Sequence, residues 1–368
     1  MAAETRPISD KENKIQEFTV HFWNDRIIFD DKNLPIGQIT TDVLNLADDN
    51  LLSLRCKASE TLDFMSKHFF DPRIKKDLAF VTAVQDKLNE YQDAVLTFPL
   101  YAHLNIDSKL THNTLTIAFK DFSDEFQRLI IPTTREYKIY AGFINGICRI
   151  PDEIIGFRFY ITKMLDHYFE NLKKRNAEHY AFGVYKFFSD KEAQRVLASL
   201  LPPIPEYMFM QTREAMIEYN TMPSPADEKK YIIAERLVFT SIASFLHTDF
   251  FRGLMNGNAP RRCHNCKRFF LLSSGYDTCY CNNIAPGEIE KTCRKVGAHK
   301  KEAQALSGAT PAQKEYRKVY NRLKVRKNRG KLTVNEWNSA VTQALEYKDK
   351  AEAGKISDTE LKAIYDKM

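Results

Sequence analysis

The sequence predicts a mainly α-helical protein with a short N-terminal β-hairpin region and a C-terminal four-cysteine module followed by short helices. Three observations carry this. Apolar residues recur at three- and four-residue intervals through most of positions 45 to 260, residues 18 to 29 alternate instead, and five of the seven cysteines fall between Arg261 and Cys293. A chain of 368 residues, 43% hydrophobic and with 25 Phe and 17 Tyr, has enough apolar material for at least one well-filled core.

The β region comes first. In EFTVHFWNDRIIFDD, Phe18, Val20 and Phe22 alternate with Thr19, His21 and Trp23, and Asn24-Asp25 offers a turn before Ile27, Ile28 and Phe29. After Pro35 and Gly37 the period lengthens, and SETLDFMSKHFF, AFVTAVQDKLNEYQDAVL and IAFKDFSDEFQRLI read as helices. Ser189 followed by Glu192 predicts a capped helix start, and Leu200-Leu201-Pro202-Pro203 predicts its end. From Ala226 to Met255, with Pro225 in the first turn, the residues Ile233, Leu237, Ile242, Leu246 and Phe250 predict one long core helix. Gly257 and Pro260 stop it just before Cys263. Three further helix starts, TPAQKEY, TVNEWNS and SDTELKA, each place Gln or Glu three residues after Thr or Ser.

The cysteines are read as a metal site. Cys263 and Cys266 have the Cys-x-x-Cys spacing that delivers two ligands from one tight turn, and Lys267 to Leu272 read as the strand that follows such a knuckle. Cys279, Cys281 and Cys293 compete for the two remaining places; Cys281 and Cys293 are preferred because Cys293 lies beyond the Pro286-Gly287 turn, where a helical pattern begins. His264 and His299 are reserve ligands. Four cysteine ligands point to one zinc ion in a structural role, with no coordination position left for water. The domain division that results is a β element at 1–45, a helical body at 46–258, a zinc module at 259–304 and a basic helical tail at 305–368.

Residues 226 to 368, with R-C-x-N-C-x-R-F-F, then Y-C, T-C-R-x-x-G-A, a basic R-K-N-R-G-K and a Trp-containing helix, resemble a bacterial family of unknown function defined by this C-terminal part. More distantly the knuckle is similar to the CGNR zinc fingers of DNA-binding regulators. The resemblance implies Cys263, Cys266, Cys281 and Cys293 as ligands, because Cys279 stands where the pattern is not fixed as cysteine. The Cys-Gly-Asn-Arg box itself is absent, and Thr292-Cys293-Arg294-Lys295 occupies its place.

The net charge of +6 is unevenly spread: Arg261 to Lys331 holds 18 Lys and Arg against 5 Asp and Glu. In KEYRKVYNRLKVRKNRGK, Tyr316, Val319, Tyr320 and Leu323 share one helix face, while Lys314, Lys318, Arg322 and Arg326 recur at four-residue intervals and Arg329 and Lys331 continue the row. Such a row suits phosphates, so nucleic acid, DNA or RNA, is the leading partner. Phe269, Phe270, Tyr276 and Tyr280 are read as the small core of the module rather than as base-stacking groups.

The first 260 residues carry no His-Glu-x-x-His, phosphate-binding loop or nucleophile-elbow motif, so no catalytic residues are assigned. Asp30-Asp31, Asp48-Asp49 and Asp152-Glu153 are read as helix-end carboxylates, and Cys56 and Cys148 as core thiols. Without an N-terminal secretion signal or a long apolar span, the sequence predicts a cytoplasmic protein that does not enter a membrane. The predicted function is zinc-dependent nucleic-acid binding, with a transcriptional regulator as one form of it. The alternatives are a protein-interaction module stabilised by zinc and an enzyme with an unrecognised site in the helical body.

Overall fold

Strands β1 (Phe18–Trp23) and β2 (Arg26–Ile28) form the expected hairpin, turning at Asn24, which sits in the left-handed region at φ 51°. The computed structural model describes residues 14–29, 32–104, 106, 112–200, 215–273 and 278–368. Asp30-Asp31, the helix stop at Leu201-Pro202-Pro203, and Tyr276 lie outside the described residues. A third strand, β3 (Asn33–Pro35), pairs with β2, and the other edge of β1 takes β5 (Asp227–Phe239), which pairs in turn with β4 (Ala215–Ser224). The sheet is antiparallel in the order β3-β2-β1-β5-β4.

The long helix expected from Ala226 to Met255 is therefore wrong in its first half. Ile233 and Leu237 fit a helical spacing of four, but they also fit the two-residue period of Tyr231, Ile233, Leu237 and Phe239, and pairing with β1 decides between the two. Leu237 stands opposite Val20, both buried, and Phe239 stacks on Phe18 with ring centres 5.9 Å apart. Pro225 and Ala226 make the turn of the β4–β5 ribbon rather than the first turn of a helix.

The helical body follows the predicted periodicity. It contains α1 (Gln38–Leu44), α2 (Asp48–Phe64), α3 (Leu78–Leu96), α4 (Thr114–Asp121), α5 (Ser123–Leu129), α6 (Arg135–Met164), α7 (Ala177–Ser189), α8 (Lys191–Leu200) and α9 (Ile242–Met255). Both α2 and α6 run on into single π-helical turns, Met65–Phe69 and Leu165–Phe169. Asp190 caps α8 by accepting from the Ala193 N–H at 3.0 Å, one residue after the expected Ser189, which closes α7 instead. Of the carboxylate pairs, Asp48 and Asp49 occupy the first turn of α2 as read. Asp152 and Glu153 lie inside α6, where Glu153 accepts from Ser241 Oγ and the Ala243 N–H and so caps α9 from another element. Cys148 is buried, which pushes its thiol up to about 12, whereas Cys56 is exposed and is not a core residue.

Asp249 on α9 holds the start of α1. Its carboxylate accepts from the Gly37 N–H and, at 2.8 Å each, from the Thr40 N–H and hydroxyl. Gly37 is required there: its φ is 93°, and a Cβ would lie 3.0 Å from the Leu271 side chain.

After the cysteines come α10 (Cys293–Ser307), α11 (Pro311–Asn328), α12 (Val334–Glu352) and α13 (Asp358–Asp366). The last three begin in reciprocal capping boxes, Thr310 with Gln313, Thr333 with Glu336 and Ser357 with Glu360, at the three predicted starts. Val319, Leu323, Ala344, Leu361 and Tyr365 form their core, and the Tyr365 hydroxyl donates to the Ala344 carbonyl at 2.7 Å. The chain makes two compact units, one reaching Cys263 and resuming from Lys267 to Cys279, the other comprising His264–Cys266 and Tyr280–Met368. Among the described residues no helix is long and apolar enough to cross a membrane.

Candidate metal centre

A tight turn presents the first two cysteines. Strands β6 (Ala259–Arg262) and β7 (Phe269–Leu272) pair antiparallel, and the knuckle between them closes through Lys267 N–H to Cys263 O at 2.9 Å and Cys263 N–H to Arg268 O at 2.8 Å. Lys267 takes φ 64° to turn the chain back. The hairpin is pinned to the end of α1 by Asn45, whose amide donates to Phe269 O and accepts from Phe269 N–H at 2.9 and 2.8 Å.

The second pair, eleven residues wide between its members, is closed by another small hairpin. Ile284 bridges Thr292, Ala285 N–H donates to Lys291 O at 2.9 Å and Cys293 N–H donates to Asn283 O at 2.8 Å, around a turn in which Gly287 has φ 79°. This brings Cys281 and Cys293 together, with Cys293 as the first residue of α10. Tyr280 lies against Gly297 so closely that a Cβ there would come within 2.5 Å of the ring, and it meets His264 edge-on at 6.0 Å. Tyr280 thus packs within the module, as read from the sequence, whereas the buried Phe269 belongs to the core of the helical body rather than to a small core of the module.

Cys263, Cys266, Cys281 and Cys293 converge, their sulfurs all within 4.8 Å of one another. A tetrahedral ion with metal–sulfur bonds of about 2.3 Å sets its sulfurs about 3.8 Å apart. The Cys266 and Cys281 sulfurs stand 3.7 Å apart, and three of the four cysteines are buried, so the donor set fits a metal ion. His264 and His299 are not in the cluster, and neither is Cys279. Cys279 Sγ instead accepts from Arg261 at 3.2 Å.

The surroundings supply positive charge and donors. The Asn265 amide donates to Cys293 Sγ at 3.4 Å, and its carbonyl oxygen accepts from Lys300 Nζ at 3.0 Å. Arg262 makes two bonds to Asp166, 3.0 and 2.9 Å, and lies over the Phe269 ring; Arg261 reaches Glu170 and Thr278 O. These acids belong to the π turn Leu165–Phe169 and the residue after it, so the strand leading into Cys263 is held by the end of α6. Neither Arg261 nor Arg262 stood out in the sequence as a positioning residue, because their partners lie about ninety residues away.

The predicted cation row is divided. Lys314, Lys318, Arg329 and Lys331 are exposed on α11 and just beyond it. Arg322 and Arg326 donate to the carbonyls of Tyr365 and Met368 and so fasten the end of α13, a role their four-residue spacing could not reveal.

The fold and the cluster define a mainly helical protein with a four-cysteine site able to hold a metal ion. Residues 210–367 match the model of a family of unknown function, DUF6076, and the match takes in the β4–β5 ribbon, the cysteines and all four following helices. No curated protein and no solved structure matches the chain.

Proposed function

We propose that the chain binds nucleic acid through its basic C-terminal helices, and that one structural zinc ion held by Cys263, Cys266, Cys281 and Cys293 fixes the start of that region. The observation that carries the reading is that the four-sulfur cluster opens the same stretch, Arg261 to Lys331, that holds an excess of 13 positive charges. Four thiolates saturate zinc, so the ion supplies cross-linking of two hairpins rather than chemistry on a substrate. A regulator is one form such a protein would take, although the Cys-Gly-Asn-Arg box of the fingers that its knuckle distantly resembles is absent. Phosphate contacts belong to Lys314, Lys318, Arg329 and Lys331, whereas Arg322 and Arg326 act first in docking α13.

A second reading, a protein-interaction module, is favoured by one observation. Tyr219, Tyr231 and Ile233 lie on one face of the β4–β5 ribbon and are each more than two-thirds exposed.

The test is titration of the zinc-loaded protein against random duplex DNA and single-stranded RNA over a salt series, beside a variant with Lys314, Lys318, Arg329 and Lys331 changed to Glu. The reading predicts affinity that falls steeply with salt and is lost in the variant. Absence of binding to both at low salt would refute it in favour of the interaction module.

A further inference from the structure

On the reading just given, we infer that the nucleic acid enters an open groove between α10, α11 and α13 and is gripped there by its sugar-phosphate backbone, independently of base sequence. The groove encloses about 1020 Å³. Its walls bring together cations that are far apart in sequence: Lys314, Arg317 and Lys318 from α11 and Lys362 from the first turns of α13. Among the described residues two acids, Glu315 and Asp358, share the lining with them. Glu315 is engaged by Lys318 at 2.7 Å, and Asp358 shares the groove with Lys314 and Lys362.

The class of ligand follows from what else lines the walls. Ser307, Asn321 and Thr359 offer hydrogen bonds, and among the described residues the lining contains no aromatic ring on which a base could stack. The aromatic side of α11 is occupied elsewhere, with Tyr320 against Trp337 and Tyr316 against Tyr320. A polymer fits better than a small anion. Lys300, one turn before Ala303 on the same side of α10, is exposed and carries the positive surface from the groove towards the Asn265 end of the metal centre.

The location also divides the cations of the predicted row. Lys314 and Lys318 are in the groove, while Arg329 lies eleven residues beyond Lys318, roughly 16 Å at 1.5 Å per residue. The two ends can thus be tested separately.

The experiment measures binding of the full-length, zinc-loaded protein to two 20-base-pair duplexes of unrelated sequence by fluorescence anisotropy across a salt series. Wild type is compared with K314E/K362E, with the milder K314Q/K362Q, and with R329E/K331E; circular dichroism and zinc content confirm that each is folded. K314E/K362E is expected to weaken binding at least about tenfold and to flatten the log–log salt slope by roughly 2, one for each phosphate no longer neutralised, with K314Q/K362Q intermediate. R329E/K331E, which removes phosphate contacts outside the groove, is expected to weaken binding clearly less than K314E/K362E does, and the two duplexes to bind within about threefold of each other. If R329E/K331E weakens binding and the groove variants do not, the groove is wrong while the nucleic-acid reading stands. A strong preference for one duplex would overturn backbone-only recognition. If wild type binds neither duplex at low salt, both the groove and the reading it rests on fall.

Discussion

Asn265 is one hydrogen bond from Cys293 and one from Lys300, so a neutral amide passes a lysine's positive field to a sulfur of the cluster. Outer partners of this kind typically alter metal affinity by roughly 10- to 100-fold. Asn265→Ala is therefore expected to speed zinc transfer to a competing chelator by about tenfold without changing the stoichiometry, read with a chromogenic dye. Spacing alone made Cys263 and Cys266 legible and left Cys279 and Cys281 in competition. What separates them is tertiary: Cys279 lies beside Arg261, while Cys281 is drawn to Cys293 by the Ile284–Thr292 bridge. Asp249 gives a prediction of another kind. Burial raises its pKa from 3.8 to about 6, so between those values the folded state binds more protons than the unfolded state, and this residue's contribution to stability falls as pH rises through the interval. Asp249→Asn removes that slope and leaves a Thr40 donor facing an amide, at a cost of roughly 1–3 kcal/mol. Urea unfolding of both proteins at pH 4.5 and pH 7 measures the two effects; an unchanged difference between the two pH values would contradict the assignment.

At the scale of elements, the sequence was most readable where local chemistry decides the structure. The three capping boxes of α11, α12 and α13 need only their own first turns, and all three form. It was least readable at Asp227–Phe239, where apolar residues satisfy two periods and the choice is made by β1, some two hundred residues away. The same limit applies to Arg322 and Arg326, whose acceptors are supplied by the end of α13. The helices after the metal centre share a small core, so it should tolerate truncation poorly. Leu323→Ala is expected to destabilise them by about 2–5 kcal/mol, and Thr333→Ala, which breaks one capping box, by about 1 kcal/mol. Denaturant unfolding followed by Trp337 fluorescence, with the other tryptophan, Trp23, replaced by Phe, measures both.

Over the whole molecule, charge and cysteine are concentrated in the same stretch. Outside Arg261 to Lys331 the chain carries more acidic than basic residues, so its excess of positive charge follows the cysteine cluster and the helices after it. That distribution was visible in the sequence before any fold was known; the groove that gathers Lys314 and Lys362 was not, because it depends on how α13 returns to α11. The cluster underlies the proposed function, since the two hairpins that carry the four cysteines open the basic region. The most direct measurement is the zinc content and X-ray absorption spectrum of the purified protein and of its Cys281→Ser and Cys279→Ser variants. One zinc per chain with four sulfur neighbours at about 2.3 Å, lost or altered in Cys281→Ser and unchanged in Cys279→Ser, is the predicted result. A metal-free wild-type protein, or a zinc shell unchanged by Cys281→Ser, would contradict it.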